Sequence, residues 1–242
     1  MTLKTDTLGW LLNLQVGLSA LCIFLPRKIR LPLWFSVLPL AVAILITRWM
    51  AVDHPPMRNL FEAFLWLPPL LTCMTLYSKW RDQTDTSRLD ASICFIVAFP
   101  LAFVFSATIS RLPPVLQSPL FVPHVLGYMI SYVLLTRAFA LECLKQSAAA
   151  RENTAWGFAF ISLSLALGSY WGNEAWGAYW QWDPKEQWSL ATWLIYAAYF
   201  HLQHRRKWRV TLLGVGVLFI LLTVTWINLS KLFSGMHSYA GV

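Results

Sequence analysis

Residues 171–188 read WGNEAWGAYWQWDPKEQW, and this stretch decides what kind of bundle the rest of the chain forms. Trp171, Trp176, Trp180, Trp182, Trp188 and Tyr179 crowd between two apolar runs, each near the length of a membrane span. An aromatic belt places a ring or two at a helix end, where an indole keeps its N–H wet and its body in lipid. Five indoles in one loop exceed that need and suit a broad, flat ligand. The closing DPKE reads as a helix start: Asp183 as N-cap, Pro184 where its missing N–H is harmless, and Glu186 reaching back to complete a capping box.

The 242-residue chain is 57% hydrophobic, only 12% charged, and contains 14 tryptophans. A soluble domain carries ~25% charged residues, so the expected class is an all-α, polytopic integral membrane helical bundle. The formal charge of +8 falls in short loops between apolar runs, which excludes a nucleic-acid surface. Cys22, Cys73, Cys94 and Cys143 lie far apart within or beside apolar runs, without a CxxC, and read as buried hydrophobes. There is no CxxCH, so the chain is not itself a cytochrome with covalently attached haem. The start, MTLKTDTLGW, has one basic residue and no small-residue cleavage site, and reads as a retained first helix.

Apolar runs of about 20 residues predict about eight transmembrane helices, near 8–25, 32–50, 60–77, 91–109, 123–144, 155–171, 186–204 and 210–229. They read as one transmembrane domain, 1–242. With the N-terminus outside, twelve basic residues fall in inner loops: Arg27, Lys28, Arg30, Lys79, Arg81, Arg88, Lys145, Arg151, Arg205, Arg206, Lys207 and Arg209. The outer segments keep five: Lys4, Arg58, Arg111, Lys185 and Lys231. That bias predicts both termini outside. The segments MAVDHPPMRN, SRLPPVLQSPLFVPH, the tryptophan loop and SGMHSYAGV then share the outer face as one composite site.

Three histidines are singled out by position. His124 opens the fifth span and His237 follows the eighth, one on either side of the tryptophan loop in sequence. Two imidazoles across a flat aromatic platform would ligate haem iron axially, with the macrocycle on the indoles. His201 lies 17 residues beyond Pro184, which at ~1.5 Å per residue puts it ~25 Å down the seventh helix, in the inner leaflet. An ionisable residue at such depth is a functional candidate. His204 adjoins RRK at the inner interface, and His54 reads as a loop residue. Arg137, well inside the fifth span, either snorkels inward or pairs with a carboxylate such as a haem propionate.

These segments resemble a known family. WGNEAWGAYWQWDPKEQW resembles the WWD signature of haem-handling proteins, in the DPKE form of the CcsA/ResC branch of system II cytochrome c synthesis. The resemblance extends to LQSPLFVPHV, WLIYAAYFH, MHSYAG and, more weakly, PPMRNLFEAF. MHSYA replaces the usual LHSYG. HLQHRR carries two histidines where one is usual, so the transmembrane ligand is His201 or His204.

The resemblance implies a subunit of a cytochrome c haem lyase, or holocytochrome c synthase, working with a CcsB/ResB-type membrane partner. Haem b would be the substrate, and its iron would be bound through histidine. His124 and His237 would be the external axial ligands, and His201 would bind haem within the membrane, opposite a ligand from the partner. Trp171, Trp176, Trp180, Trp182, Asp183 and Pro184 would form the haem-binding platform, with no catalytic group separate from haem ligation. Haem would then be presented to the CxxCH of apocytochrome c, with a thioredoxin-like protein as the candidate thiol reductant. The membrane would be a bacterial inner membrane or a thylakoid, with the WWD loop on the periplasmic or lumenal side. The alternative is a haem-delivery protein of the CcmC type, which hands haem to a chaperone without forming a thioether.

Overall fold

The computed structural model describes residues 2–109 and 111–226. His237 therefore lies outside the described residues. Among the described residues the regular structure is helical, and the chain divides into two compact units, 1–112 and 113–242. The first contains α1 (Thr2–Phe24), α2 (Arg27–Val52), the short α3 (Leu60–Phe64), α4 (Leu67–Asp82) and α5 (Ser87–Phe103). The second contains a 3-10 turn (Pro114–Leu116), α6 (Phe121–Cys143), α7 (Ser147–Trp176), α8 (Pro184–Leu202), α9 (Arg206–Leu221) and a π turn (Leu222–Trp226).

These helices fall where the eight expected spans lie, the third being α3 and α4 together. Among the described residues five segments are long and apolar enough to cross a membrane: Thr7–Phe24, Arg27–Val52, Leu60–Asp82, Phe121–Cys143 and Arg206–Val224. The other three differ for physical reasons. Helix α5 has 17 residues. Helix α7 begins with the polar SAAARENT and ends with GNEAW, while α8 opens on PKEQ. The bundle of apolar helices is that of an integral membrane protein.

In the first unit α1 packs on α2 and α5, and α4 packs on the same two helices. Leu8, Leu12, Ile44, Leu45, Phe61, Leu65 and Leu101 form an apolar cluster. Beside it lies a buried charge pair. Arg48 donates from Nη2 to Glu62 Oε1 at 2.7 Å and to the carbonyl of Thr108 at 2.9 Å, and from Nη1 to the carbonyl of Ala107 at 2.7 Å. Glu62 Oε2 accepts the Arg58 backbone N–H at 2.9 Å. The pair thus ties α2, the turn into α3 and the segment after α5 to one point. A second buried chain runs from Trp34 Nε1 to Thr75 Oγ1 at 2.8 Å, and from Thr75 Oγ1 to Asp90 Oδ2 at 2.5 Å.

In the second unit α6 packs along α7 and α9, and α8 packs on α9 and α7. Glycines bring α6 and α7 close. A Cβ on Gly157 would lie 2.6 Å from Leu135 Cδ2, and one on Gly127 would overlap Ser164 Oγ. Ser131 Oγ donates to the Gly157 carbonyl at 2.8 Å across this seam. At the Cys143 end of α6, buried Glu142 accepts from Arg209 Nε and Ser147 Oγ, both at 3.1 Å, so one carboxylate fastens α6, α7 and α9. Arg137 is buried as well, and its Nη1 donates to Asn153 Oδ1 at 2.8 Å on α7.

Removing one partner of a buried pair leaves an uncompensated charge, which costs ~3–5 kcal/mol. Glu62→Ala is expected to lower the stability of the first unit by about that much, read as a drop in the unfolding temperature of the purified protein in detergent. The double change Arg48→Met with Glu62→Leu should cost less than Glu62→Ala alone. A Glu62→Ala protein as stable as the parent would show that the pair does not anchor the unit.

Candidate functional site

The aromatic stretch is not one loop. Helix α7 continues through Trp176 and stops at Gly177, whose φ of 75° is the left-handed cap that ends a helix. The segment outside helices narrows to residues 177–183. Before Gly177 the rings are held by α7, after it Tyr179, Trp180 and Trp182 are held by the turn, and Trp188 lies on α8.

The first set gathers around His124. Trp171 is buried, and its Nε1 donates to the Val115 carbonyl at 3.0 Å, which pins the 3-10 turn against the end of α7. Its ring centroid lies 5.7 Å from His124, 4.9 Å from Trp176 and 5.6 Å from Phe121. Tyr128, one turn along α6, stands edge-on to His124 at 5.1 Å. Ser118 Oγ donates to Glu174 Oε2 at 3.3 Å, a further tie between the entry to α6 and the end of α7.

His124 sits in the first turn of α6, and its Nδ1 lies 2.8 Å from the Ser164 carbonyl of α7. A carbonyl only accepts, so Nδ1 carries the proton and the basic nitrogen of the neutral ring is Nε2. That tautomer, fixed by a backbone carbonyl, is the one metal-ligating histidines use. The sequence alone does not display this carbonyl, nor Gly168, on which the imidazole rests.

The second set lies in the turn. Tyr179 stands edge-on to Tyr170 at 5.7 Å, and Trp180 to Trp182 at 6.1 Å. Trp182 is 65% exposed and has a φ of 56°, unusual for a residue with a large side chain. The turn is held from below. Gln187 Nε2 donates to the Trp182 carbonyl at 2.6 Å, and the Gln181 and Asp183 backbone N–H groups donate to Glu186 Oε2 at 2.8 and 3.1 Å. Asp183, buried, accepts from the Lys185 N–H at 2.8 Å, so the capping box expected from DPKE is present. Pro184 is the first helical residue. Partial burial pushes the Lys185 ammonium down to about 8 against the pull of Asp183, so its charge changes at mildly alkaline pH.

His201 lies at the opposite end of α8, in its last turn, and is exposed. Beside it Phe200 packs on Phe158 at 5.2 Å, and Phe158 on Trp193 at 5.3 Å, an aromatic wall shared by α7 and α8. His204 is exposed just beyond the helix. His54, in the first unit, is buried, and its Nδ1 lies 3.0 Å from the Pro55 carbonyl. Among the described residues no three His, Cys, Asp or Glu side chains converge on one point. The structure thus brings His124, Trp171 and Trp176 together, pairs Trp180 with Trp182, and leaves His201 apart from both groups.

Comparison with known proteins adds the lineage. Residues 57–237 match the family described as Cytochrome C assembly protein. The chain is 28% identical over 235 residues to the cytochrome c biogenesis protein CcsA of Chlamydomonas reinhardtii, covering 83% of this chain and 65% of that protein. It is 30% identical over 247 residues to the CcsA of Parasynechococcus marenigrum, covering 81% of each. In structure it resembles the cytochrome c haem lyase CcmF, with a TM-score of 0.65 at 18% identity over 92% of this chain and 45% of that one, a likeness of fold. The chain belongs to the cytochrome c assembly protein family, in its CcsA branch.

Proposed function

We propose that this CcsA-type chain binds haem as a substrate and presents it for thioether attachment to apocytochrome c, as the haem-handling subunit of a system II haem lyase. The family places the chain in cytochrome c maturation. The observation that carries the finer reading is the seating of His124, with Nδ1–H on the Ser164 carbonyl, basic nitrogen at Nε2, and the ring against Trp171. These residues fit a haem iron and its flat macrocycle: neutral imidazole suits iron, and indole faces suit a porphyrin.

In this reading His124 and His237 are the external axial ligands, and the exposed rings of the 177–183 turn, Trp182 foremost, line the macrocycle edge. Trp176 and Trp180 complete the platform, while Asp183 and Pro184 hold it to α8. His201 serves haem within the membrane. Its exposure suits a ligand shared with another chain, and the proposed partner is a CcsB/ResB-type membrane subunit. Both units act as one assembly domain, with the tryptophan motif on the periplasmic or lumenal side.

Haem b supplies the two vinyl groups to which the substrate thiols add. At each, an S–C bond forms, the thiol proton ends on the other vinyl carbon, and no atom is lost. The chain's contribution is to hold the reactants in register and keep the iron ligated by groups that the substrate histidine can replace. A thioredoxin-like reductant would keep the thiols reduced.

The direct test is co-expression with a CcsB-type partner and an apocytochrome reporter. His124→Ala or His237→Ala should cut holocytochrome by at least the ~10-fold that loss of an orienting partner alone costs a metal site, and added imidazole should restore part of it. Yields equal to the parent, insensitive to imidazole, would sink the axial-ligand assignment. Haem copurifying with the complex should fall for His201→Ala and persist for His204→Ala, and the reverse pattern would move the role to His204. Asp183→Ala removes the α8 cap and should cost ~1 kcal/mol of stability with a partial loss of holocytochrome, while Asp183→Asn retains most of both. Undiminished thermal stability in Asp183→Ala would show that the cap does not hold the turn.

A further inference from the structure

We propose that Gly168 is the positioning residue for His124: its missing side chain is what allows the imidazole to lie on α7 with Nδ1 on the Ser164 carbonyl. This inference rests on the reading of His124 as an iron ligand, and concerns how that ligand is aimed. Ser164, Gly168 and Trp171 are spaced by four and three residues, so they form one stripe of α7. All three meet the same ring. The Ser164 carbonyl accepts the hydrogen bond from Nδ1–H, Trp171 lies 5.7 Å away between centroids, and Gly168 leaves the floor open.

A Cβ at position 168 would lie inside the van der Waals surface of His124 Cε1, 2.5 Å from Nδ1 and 3.3 Å from Nε2. The clash is with the end of a side chain that turns about two torsions, not with backbone. Alanine here therefore moves the ring and leaves the helix pair standing. Glycine inside an α-helix is disfavoured by backbone entropy, and here the close approach of the imidazole offsets that cost.

Gly157 supplies the internal control. It lies three turns earlier in α7 on the same seam, and its added Cβ would come within 2.6 Å of Leu135 Cδ2, a comparable intrusion far from His124. Gly157→Ala thus reports the general effect of crowding α6 against α7. Gly168→Ala adds displacement of the ring.

The experiment uses the full chain in lipid nanodiscs with ¹⁵N-labelled histidine, the His124 signals being those lost in His124→Ala. In the haem-free parent His124 should be the neutral tautomer protonated at Nδ1. In Gly168→Ala that signature should be lost, and in Gly157→Ala retained. Haem titration should then show affinity weakened by ~10-fold in Gly168→Ala, with exogenous imidazole restoring the parent absorption spectrum, and little change in Gly157→Ala. A Gly168→Ala protein that keeps the Nδ1-protonated ring and binds haem as the parent does would overturn the inference. If His124→Ala itself leaves haem affinity and spectrum unchanged, the ligand reading falls, and the tautomer of Gly168→Ala still decides whether Gly168 seats the ring.

Discussion

Helices α6 and α7 approach along a line of glycines, and the arrangement of the second unit depends on that approach. Gly127 lets α6 meet Ser164, Gly157 lets α7 meet Leu135, and Gly168 lets α7 meet His124. In lipid there is little hydrophobic drive between helices, so close backbone contact and interhelical hydrogen bonds carry the association. The seam has both, since Ser131 reaches the Gly157 carbonyl and His124 reaches that of Ser164. The contact that closes the helix pair also orients the imidazole. The packing of the seam and the orientation of the His124 ring are therefore one constraint.

Buried charge marks the ends of these helices. Arg48 with Glu62 in the first unit, and Glu142 with Arg209 in the second, each satisfy several loop or helix-end groups from one buried side chain. Such pairs gain little net energy over a well-packed apolar core, yet losing one partner is expensive, so they fix register. Arg137 is buried too, and donates to a neutral residue. Its Nη1 bond to Asn153 gives it a structural partner within the second unit, across the α6–α7 seam. The DPKE box works on a smaller scale, using one glutamate to gather the N–H groups of Gln181 and Asp183 beneath the exposed Trp182.

Much of this was legible in the sequence because it depends on local rules. Apolar runs located the helices, and Asp183, Pro184 and Glu186 announced the start of α8, since capping needs only neighbouring residues. What escaped was tertiary or carried by the backbone. Nothing in the pattern GSYWGNEAW says that α7 runs on to Trp176, because polar and glycine residues there suggest a turn, whereas Trp171 is buried against the 3-10 turn and holds the helix in place. The Ser164 carbonyl has no sequence signature at all, and Gly168 looks like any small residue in an apolar run. The division of the rings into a packed set around His124 and an exposed set in the turn likewise follows from contacts forty or more positions apart.

That division gives the tryptophan motif two jobs that its sequence merges. Trp171 packs against His124 with Trp176 on its other side, and the 177–183 turn leaves Tyr179 and Trp182 exposed, the rings we propose for haem. The seating of haem on His124 is tested most directly by a cryo-electron microscopy map of the chain with the proposed CcsB-type partner and haem. Iron should be bonded to Nε2 of His124 while Nδ1 keeps the Ser164 carbonyl, with Trp182 beside the macrocycle. A map with the macrocycle at the tryptophan motif but iron ligated by other residues, His124 remaining in the seam without metal, would contradict it.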